Sequence, residues 1–263
     1  MAHPWFEFLW FALAYPASLV AAVAVGYAVA EVQYRRRGRV WKPSGIESAL
    51  ITVFGLLLSF TLLSSNNAYK ERTALVHQSA GAAAELYRES QLLPAPVHAT
   101  VRAFTRQFLA LELGAHRPGQ ARGPGHIRAL AGLYQRAWQQ LRDSLRGPAP
   151  RAADLRQLLP AFNRLSAATE RLHYANQERT PASIMALLLV SSWAIGVLVG
   201  FTNSAQEARH YFVPALFIVI SALTVQAIRD LDNPDLGVIR PSYGNLQDVQ
   251  RAIEQEPPGA PPH

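Results

Sequence analysis

Cysteine is absent from this 263-residue chain, so no disulfide framework, thiolate metal site or cysteine nucleophile can be built from it. Lysine is nearly absent too: Lys42 and Lys70 stand alone among 25 cationic side chains, the rest being arginine. A third shortage is positional, because four long stretches hold almost no ionisable residue. They are Trp5 to Ala30, where Glu7 is the only charge, Ile46 to Leu63, with Glu47 at its edge, Ala182 to Phe201, and Tyr211 to Ile228. Proton-coupled pumps and voltage sensors usually carry charged groups at membrane depth, so this lack points away from both. Catalytic signatures are missing as well. The eight histidines are scattered singly, with no HExxH, no GxxxxGK[ST], no GxSxG and no GxGxxG after a strand. Neither an enzyme nor a cofactor is expected.

What is present is a two-phase composition. Half of the residues are apolar, yet the mean hydropathy is only +0.05, an average over apolar stretches and a hydrophilic insert. Each apolar stretch, at about 18 to 25 residues, is long enough to cross the hydrocarbon core of a bilayer as a helix. The first lacks a clear small-residue cleavage site and is too long for a signal-peptide core, so it is expected to be retained. The fold expected is therefore an all-α integral membrane protein with four transmembrane helices, two plus two, around an inserted helical bundle. Residues 1–66 would hold the first two spans, 67–180 the water-exposed domain, 181–229 the last two spans, and 230–263 a C-terminal segment with a short helix over Gly244 to Glu254 and a disordered tail from Pro257.

Small residues recur every fourth position on two spans. Ser18, Ala22 and Gly26 do so on the first, followed by Ala30, and Ser192, Gly196 and Gly200 on the third, followed by Ser204. Such stripes let helix backbones approach closely, within one protomer or between protomers. Pro16 should kink the first span. Thr180 as N-cap with Pro181 at the first helical position should open the third. The second span differs, since Ser48, Thr52, Gly55, Ser59, Leu62 and Asn66 follow alternating spacings of three and four along one side of a helix. One reading makes this side the wall of a permeation path, with Ile51, Phe54, Leu58 and Phe60 near a constriction. The other has the hydroxyls bonding their own backbone carbonyls in a helix buried in the bundle.

In the polar insert the second helix should run on as a stalk to Pro94. Val97, Val101, Phe104, Phe108 and Leu111 mark one helix ending near Gly114. Ile127, Leu130, Tyr134, Trp138, Leu141 and Leu145 mark the next, and Leu155, Leu158, Leu159, Phe162, Leu165 and Leu172 a third, with a kink at Pro160. His116 to Gly125 reads as a loop. The aromatic stripes are expected to be core. The basic run Tyr34-Arg35-Arg36-Arg37-Gly38-Arg39 lies beside a span and reads as a topology and headgroup signal, not as a nucleic-acid patch. No nucleic-acid partner is expected; the lipid bilayer is.

Two stretches carry a family resemblance. Gly55 to Leu93, GLLLSFTLLSSNNAYKERTALVHQSAGAAAELYRESQLL, followed by Pro94, resembles bestrophin-like bacterial membrane proteins through Tyr69, Arg72, Leu75, Val76, Tyr87, Arg88, Leu92, Leu93 and Pro94. Asp230 to Ser242, DLDNPDLGVIRPS, is similar to the same family's exit from the last span. His77 to Gly81 departs from the pattern, standing where an acidic, Asn-containing run is usual. The resemblance implies an oligomer, a pentamer as in bestrophins, that passes chloride or other small anions along the second span. The runner-up is a non-conducting membrane scaffold or sensor whose helical domain binds a partner. The resemblance also draws attention to Asp230, Asp232 and Asp235 as oxygen ligands for a divalent cation. Their spacing fits no defined calcium loop, and a helix stop at Asn233-Pro234 with the acids paired to Arg229 and Arg240 is the preferred explanation, so no metal site is assigned to them. The chain should lie in a bacterial inner membrane. Five cations from Arg35 to Lys42 favour a cytoplasmic first loop and hence a periplasmic helical domain, whereas bestrophins carry this domain in the cytosol, so the side stays open.

Overall fold

The computed structural model describes residues 4–37, 45–115, 124–144, 150–204, 211–233, 239 and 241–255. Eight helices account for nearly all of them: α1 Pro4–Arg37, α2 Ile46–Ser90, α3 Ala95–Gly114, α4 Pro124–Ser144, α5 Pro150–Gln177, α6 Ala182–Ser204, α7 Phe212–Asp232 and α8 Gly244–Gln255. Among the described residues there is no strand. The loop expected from His116 and the tail from Pro257 fall largely outside the described residues. α4 starts at Pro124, inside the loop read from sequence, with proline in the first turn, where its missing N–H costs nothing.

The chain divides into two compact units, residues 1–68 with 179–238, and residues 69–178 with 239–263. The first contains α1, α6, α7 and the N-terminal half of α2. All four helices are long and apolar enough to cross a membrane, and only 22–33% of each one's apolar window is buried within the chain. The remainder must meet lipid or another protein surface. The buried part centres on Tyr15, Leu19, Phe54, Leu58, Leu188, Ile195, Val199, Val225 and Ile228. α6 begins one residue later than its sequence suggests. The Pro181 carbonyl accepts from the Ile184 and Met185 N–H groups at 3.0 and 3.2 Å, so the proline caps the helix instead of opening it. Pro214 sits in the first turn of α7, where the backbone N–H has no partner to lose.

The second unit is a helical bundle of α3, α4, α5, α8 and the C-terminal half of α2. Its core joins Leu75, Val76 and Leu86 to Val101, Phe108, Leu133, Leu158, Leu165 and Leu172, and to Leu246 and Ile253 of α8. Phe104 is the aromatic hub: its ring lies 5.3 Å from those of both Tyr134 and Phe162. The buried side of α4 is Leu130, Leu133, Ala137 and Leu141, while Ile127 and Trp138 are 36% and 44% exposed. The stripe read from sequence therefore sits slightly off the true core face, because the large rings occupy its flank. On α3 the inward face takes in the buried Glu112, while Leu111 is only partly buried and packs against the core.

Arg72 of α2 is 1% exposed. Its Nε donates to the Ala175 carbonyl at 2.9 Å and its NH2 to the Glu178 carbonyl at 2.7 Å. A guanidinium here satisfies carbonyls that the end of α5 leaves without helical partners, at the negative end of the helix dipole.

Candidate functional site: one face of the second helix

Within the first unit α2 has two distinct sides. Phe54, Leu58, Thr61 and Ser65 are buried, and the Phe54 ring lies 6.2 Å from that of Phe217 on α7. About 110° around the helix, at 100° per residue, run Ser48, Thr52, Gly55 and Ser59, all exposed in the single chain, then Leu62 and Asn66, which are half-buried. A Cβ placed on Gly55 would meet open space. The Ser48 hydroxyl donates to the Gly45 carbonyl at 2.8 Å, Thr52 to Ser48 at 2.8 Å and Ser59 to Gly55 at 2.9 Å. The hydroxyls thus bond their own helix, yet this side is not buried in the bundle. Phe54 and Leu58 turn into the core and are removed from any constriction, whereas Phe60, 67% exposed, and Ile51, 44% exposed, remain on the surface.

The two small-residue stripes lie against each other. A Cβ on Gly26 would collide with the Val197 carbonyl, and one on Gly200 with the Val23 carbonyl; on Gly196 it would lie 3.2 Å from the Ala22 Cβ. Ser192 is buried, and its hydroxyl donates to the Leu189 carbonyl at 2.7 Å. The Trp193 indole N–H donates to the Ser18 hydroxyl at 3.0 Å, and Ser18 in turn donates to the Tyr15 carbonyl at 2.7 Å. Asn203 donates to the Tyr27 hydroxyl. α1 and α6 are thereby held backbone to backbone, with polar bonds along the seam.

Asp230 and Asp232 are buried at the end of α7, and Asp235 lies outside the described residues, as does Arg240. Among the described residues no group of three or more His, Asp or Glu side chains could hold a metal ion. The helix stop is visible. Asn233 caps α7, with its N–H on the Asp230 carbonyl at 3.3 Å and its side-chain amide on the Arg229 carbonyl at 3.2 Å. Arg229 lies over the Phe11 ring, 4.1 Å from its centroid.

Of the residues that carried the family resemblance, Leu75, Val76, Tyr87 and Leu93 are core and Arg72 caps α5. Leu92 is 75% exposed. Sequence reasoning passed over Arg72 as a cap and over Glu112, a carboxylate on the apolar face of α3. The signal for Glu112 was its place one turn after Phe108.

Long apolar helices, an inserted bundle and backbone-close packing define an all-α, multi-pass membrane protein. A Bestrophin-like domain model matches residues 20–242, and the chain belongs to the bestrophin-like family. Solved structures agree on the fold. A bacterial bestrophin homologue from Klebsiella pneumoniae is 15% identical, with a TM-score of 0.69 over 91% of this chain and 98% of that one. A single-site variant of the Klebsiella homologue is also 15% identical, with a TM-score of 0.68 over 90% and 96%. A structure described only as a membrane protein variant, 14% identical, reaches 0.66 over 94% and 97%. No curated protein matches the chain by sequence.

Proposed function

We propose that copies of this chain assemble around the exposed hydroxyl face of α2 to form a passive, anion-permeable pore. The observation that carries the reading is that face itself: Ser48, Thr52, Gly55 and Ser59 lie uncovered in the single chain, and a polar stripe on a membrane helix needs water or protein against it. The family and fold supply the precedent for an oligomeric channel, a pentamer in bestrophins. Leu62, the apolar member of the stripe, is the gate in this proposal, closing by dewetting. With each hydroxyl hydrogen committed to a carbonyl, the atoms turned outward are oxygen lone pairs. Offering a donor to chloride requires rotation of the hydroxyl, at a cost of about 1 kcal/mol per bond exchanged.

Chloride efflux from liposomes containing the purified protein tests the proposal, with Ser59→Trp blocking the face and Val53→Trp placing the same bulk elsewhere on α2. Flux lost with Ser59→Trp and kept with Val53→Trp supports the pore. Equal flux in both, or none in well-folded wild type, sinks it and leaves the scaffold or sensor. Reversal potentials in a potassium chloride gradient identify the ion: an anion-selective value supports chloride, and a cation-selective one overturns the anion assignment while keeping the pore.

A further inference from the structure

The C-terminal end of α1 carries a groove of about 440 Å³, lined among the described residues by Ala28, Val29, Val32, Gln33 and Arg36. Val25, Val29, Val32 and Arg36 follow one another in steps of four, three and four, which keeps them on a single side of the helix. The three valines are exposed, so an uncovered apolar track runs along α1 and ends on a guanidinium.

Depth gives the two ends of this track different surroundings. From Phe11 to Ala30 α1 holds no Asp, Glu, Lys, Arg or His. The span Phe11–Arg36 has 26 residues, about 39 Å of helix at 1.5 Å per residue, against a hydrocarbon core of about 30 Å. Arg36, at the end of the span, therefore reaches the headgroup layer, while the valines lie at the depth of acyl chains. Charge points the same way. Five cations and one acid lie between Glu31 and Lys42. Arg35 is committed to that acid, its NH2 standing 2.7 Å from the Glu31 carboxylate, whereas Arg36 has no ion-pair partner among the described residues. The basic run as a whole attracts any anionic surface; the groove adds a place for one molecule.

We infer that this groove binds an anionic phospholipid, its phosphate on Arg36, its glycerol-ester region beside the Gln33 amide and one acyl chain along Val32, Val29 and Val25. A guanidinium suits a phosphate through paired, charge-assisted N–H···O bonds, and the chain removes the valine surface from other contacts. A phosphatidylcholine headgroup carries its own cation and gains less from a basic rim. Inorganic phosphate has the same oxygen acceptors but no chain to cover the valines. The site lies on α1 and does not involve the hydroxyl face of α2, so the outcome of the flux experiment does not bear on it.

Native mass spectrometry of the full-length protein in detergent, titrated with dioleoylphosphatidylglycerol or dioleoylphosphatidylcholine, tests the inference, because the two lipids share their chains and differ in headgroup charge. The phosphatidylglycerol should bind at least about fivefold tighter, the margin of one cation at a membrane surface. Arg36→Gln should weaken it by about the same factor. Arg179→Gln removes an equal charge just before α6 and should leave it unchanged, which separates a site from a general attraction to a basic protein. Ala28→Trp fills the groove with every cation in place and should weaken binding as much as Arg36→Gln. All three positions are exposed, so the variants spare the fold. Excess inorganic phosphate at constant ionic strength should not displace the lipid. Equal affinity for the two lipids, equal affinity in Arg36→Gln and Arg179→Gln, full binding in Ala28→Trp, or displacement by phosphate overturns the inference.

Discussion

The two units of this chain solve the packing problem in opposite ways. In the membrane-spanning unit the closest contacts are made by what is missing. Gly26 and Gly200 have no Cβ, so α1 and α6 meet at their backbones, and the large side chains Phe60, Phe212 and Leu223 face outward at 67%, 75% and 66% exposure. In the bundle the contacts are made by what is largest: Phe104, Phe108, Tyr134 and Phe162 interlock at ring separations of 5.3–6.3 Å. The difference follows from solvent. Lipid gives no hydrophobic reason to bury a phenylalanine, so association relies on close fit and on polar bonds, whereas water rewards burial at roughly 25 cal/mol per Å².

The contrast can be broken most forcefully at Gly200. Gly200→Leu drives a branched side chain into the Val23 carbonyl, a collision no rotamer relieves, and should cost more than the about 1–3 kcal/mol of ordinary overpacking. The variant is expected to lose its monodisperse peak in size-exclusion chromatography, and wild-type elution with wild-type melting would refute the backbone contact. Next in size is Phe104→Ala, which empties the aromatic hub and should destabilise the bundle by about 3–5 kcal/mol, read from urea unfolding. A much smaller loss would mean the rings are not a common core. Arg72→Met removes two charge-assisted bonds to the end of α5 and should cost about 2–3 kcal/mol. Thermal melts of the lysine variant should fall between, since an ammonium cannot reproduce the guanidinium fork. Smallest is a pH effect at His98, which is held below its ordinary 6.5 by burial first and by Arg102 second. A group that stays neutral in the folded state stabilises above its unfolded value and ceases to do so as pH falls through the lower folded one. Bundle stability should therefore be flat above about pH 6.5 and decline below it, with the slope reduced in His98→Gln.

Where a single helix carries its own periodicity, sequence was a sufficient guide. The apolar run of α6 and the proline at the start of α3 define those elements locally. It served less well where the answer depends on a neighbour. Leu133 of α4 is buried while Trp138 stays 44% exposed although its ring stacks on Phe162 of α5 at 6.0 Å, a division that the packing of α5 sets and the spacing within α4 does not. α8 buries Leu246 and Ile253 in the bundle, with the Ile253 carbonyl accepting from Arg102 at 3.1 Å. That contact bridges 151 positions and leaves no trace in local pattern. For the α2 face the spacing of Ser48, Thr52, Gly55 and Ser59 was legible, but its exposure was not, because exposure depends on which side of α2 the Phe54 and Phe217 rings occupy.

The way Arg72 holds α5 also bears on how such a chain can change over generations. Among its acceptors are the carbonyl oxygens of Ala175 and Glu178, atoms that every amino acid supplies. The glycines of α1 and α6 likewise press on the carbonyls of Val197 and Val23. In each case selection needs to watch one partner only, while the position opposite is free to drift in side-chain identity without loosening the joint. A scaffold latched in this manner can accumulate substitutions until little residue-for-residue likeness is left and still present the same architecture.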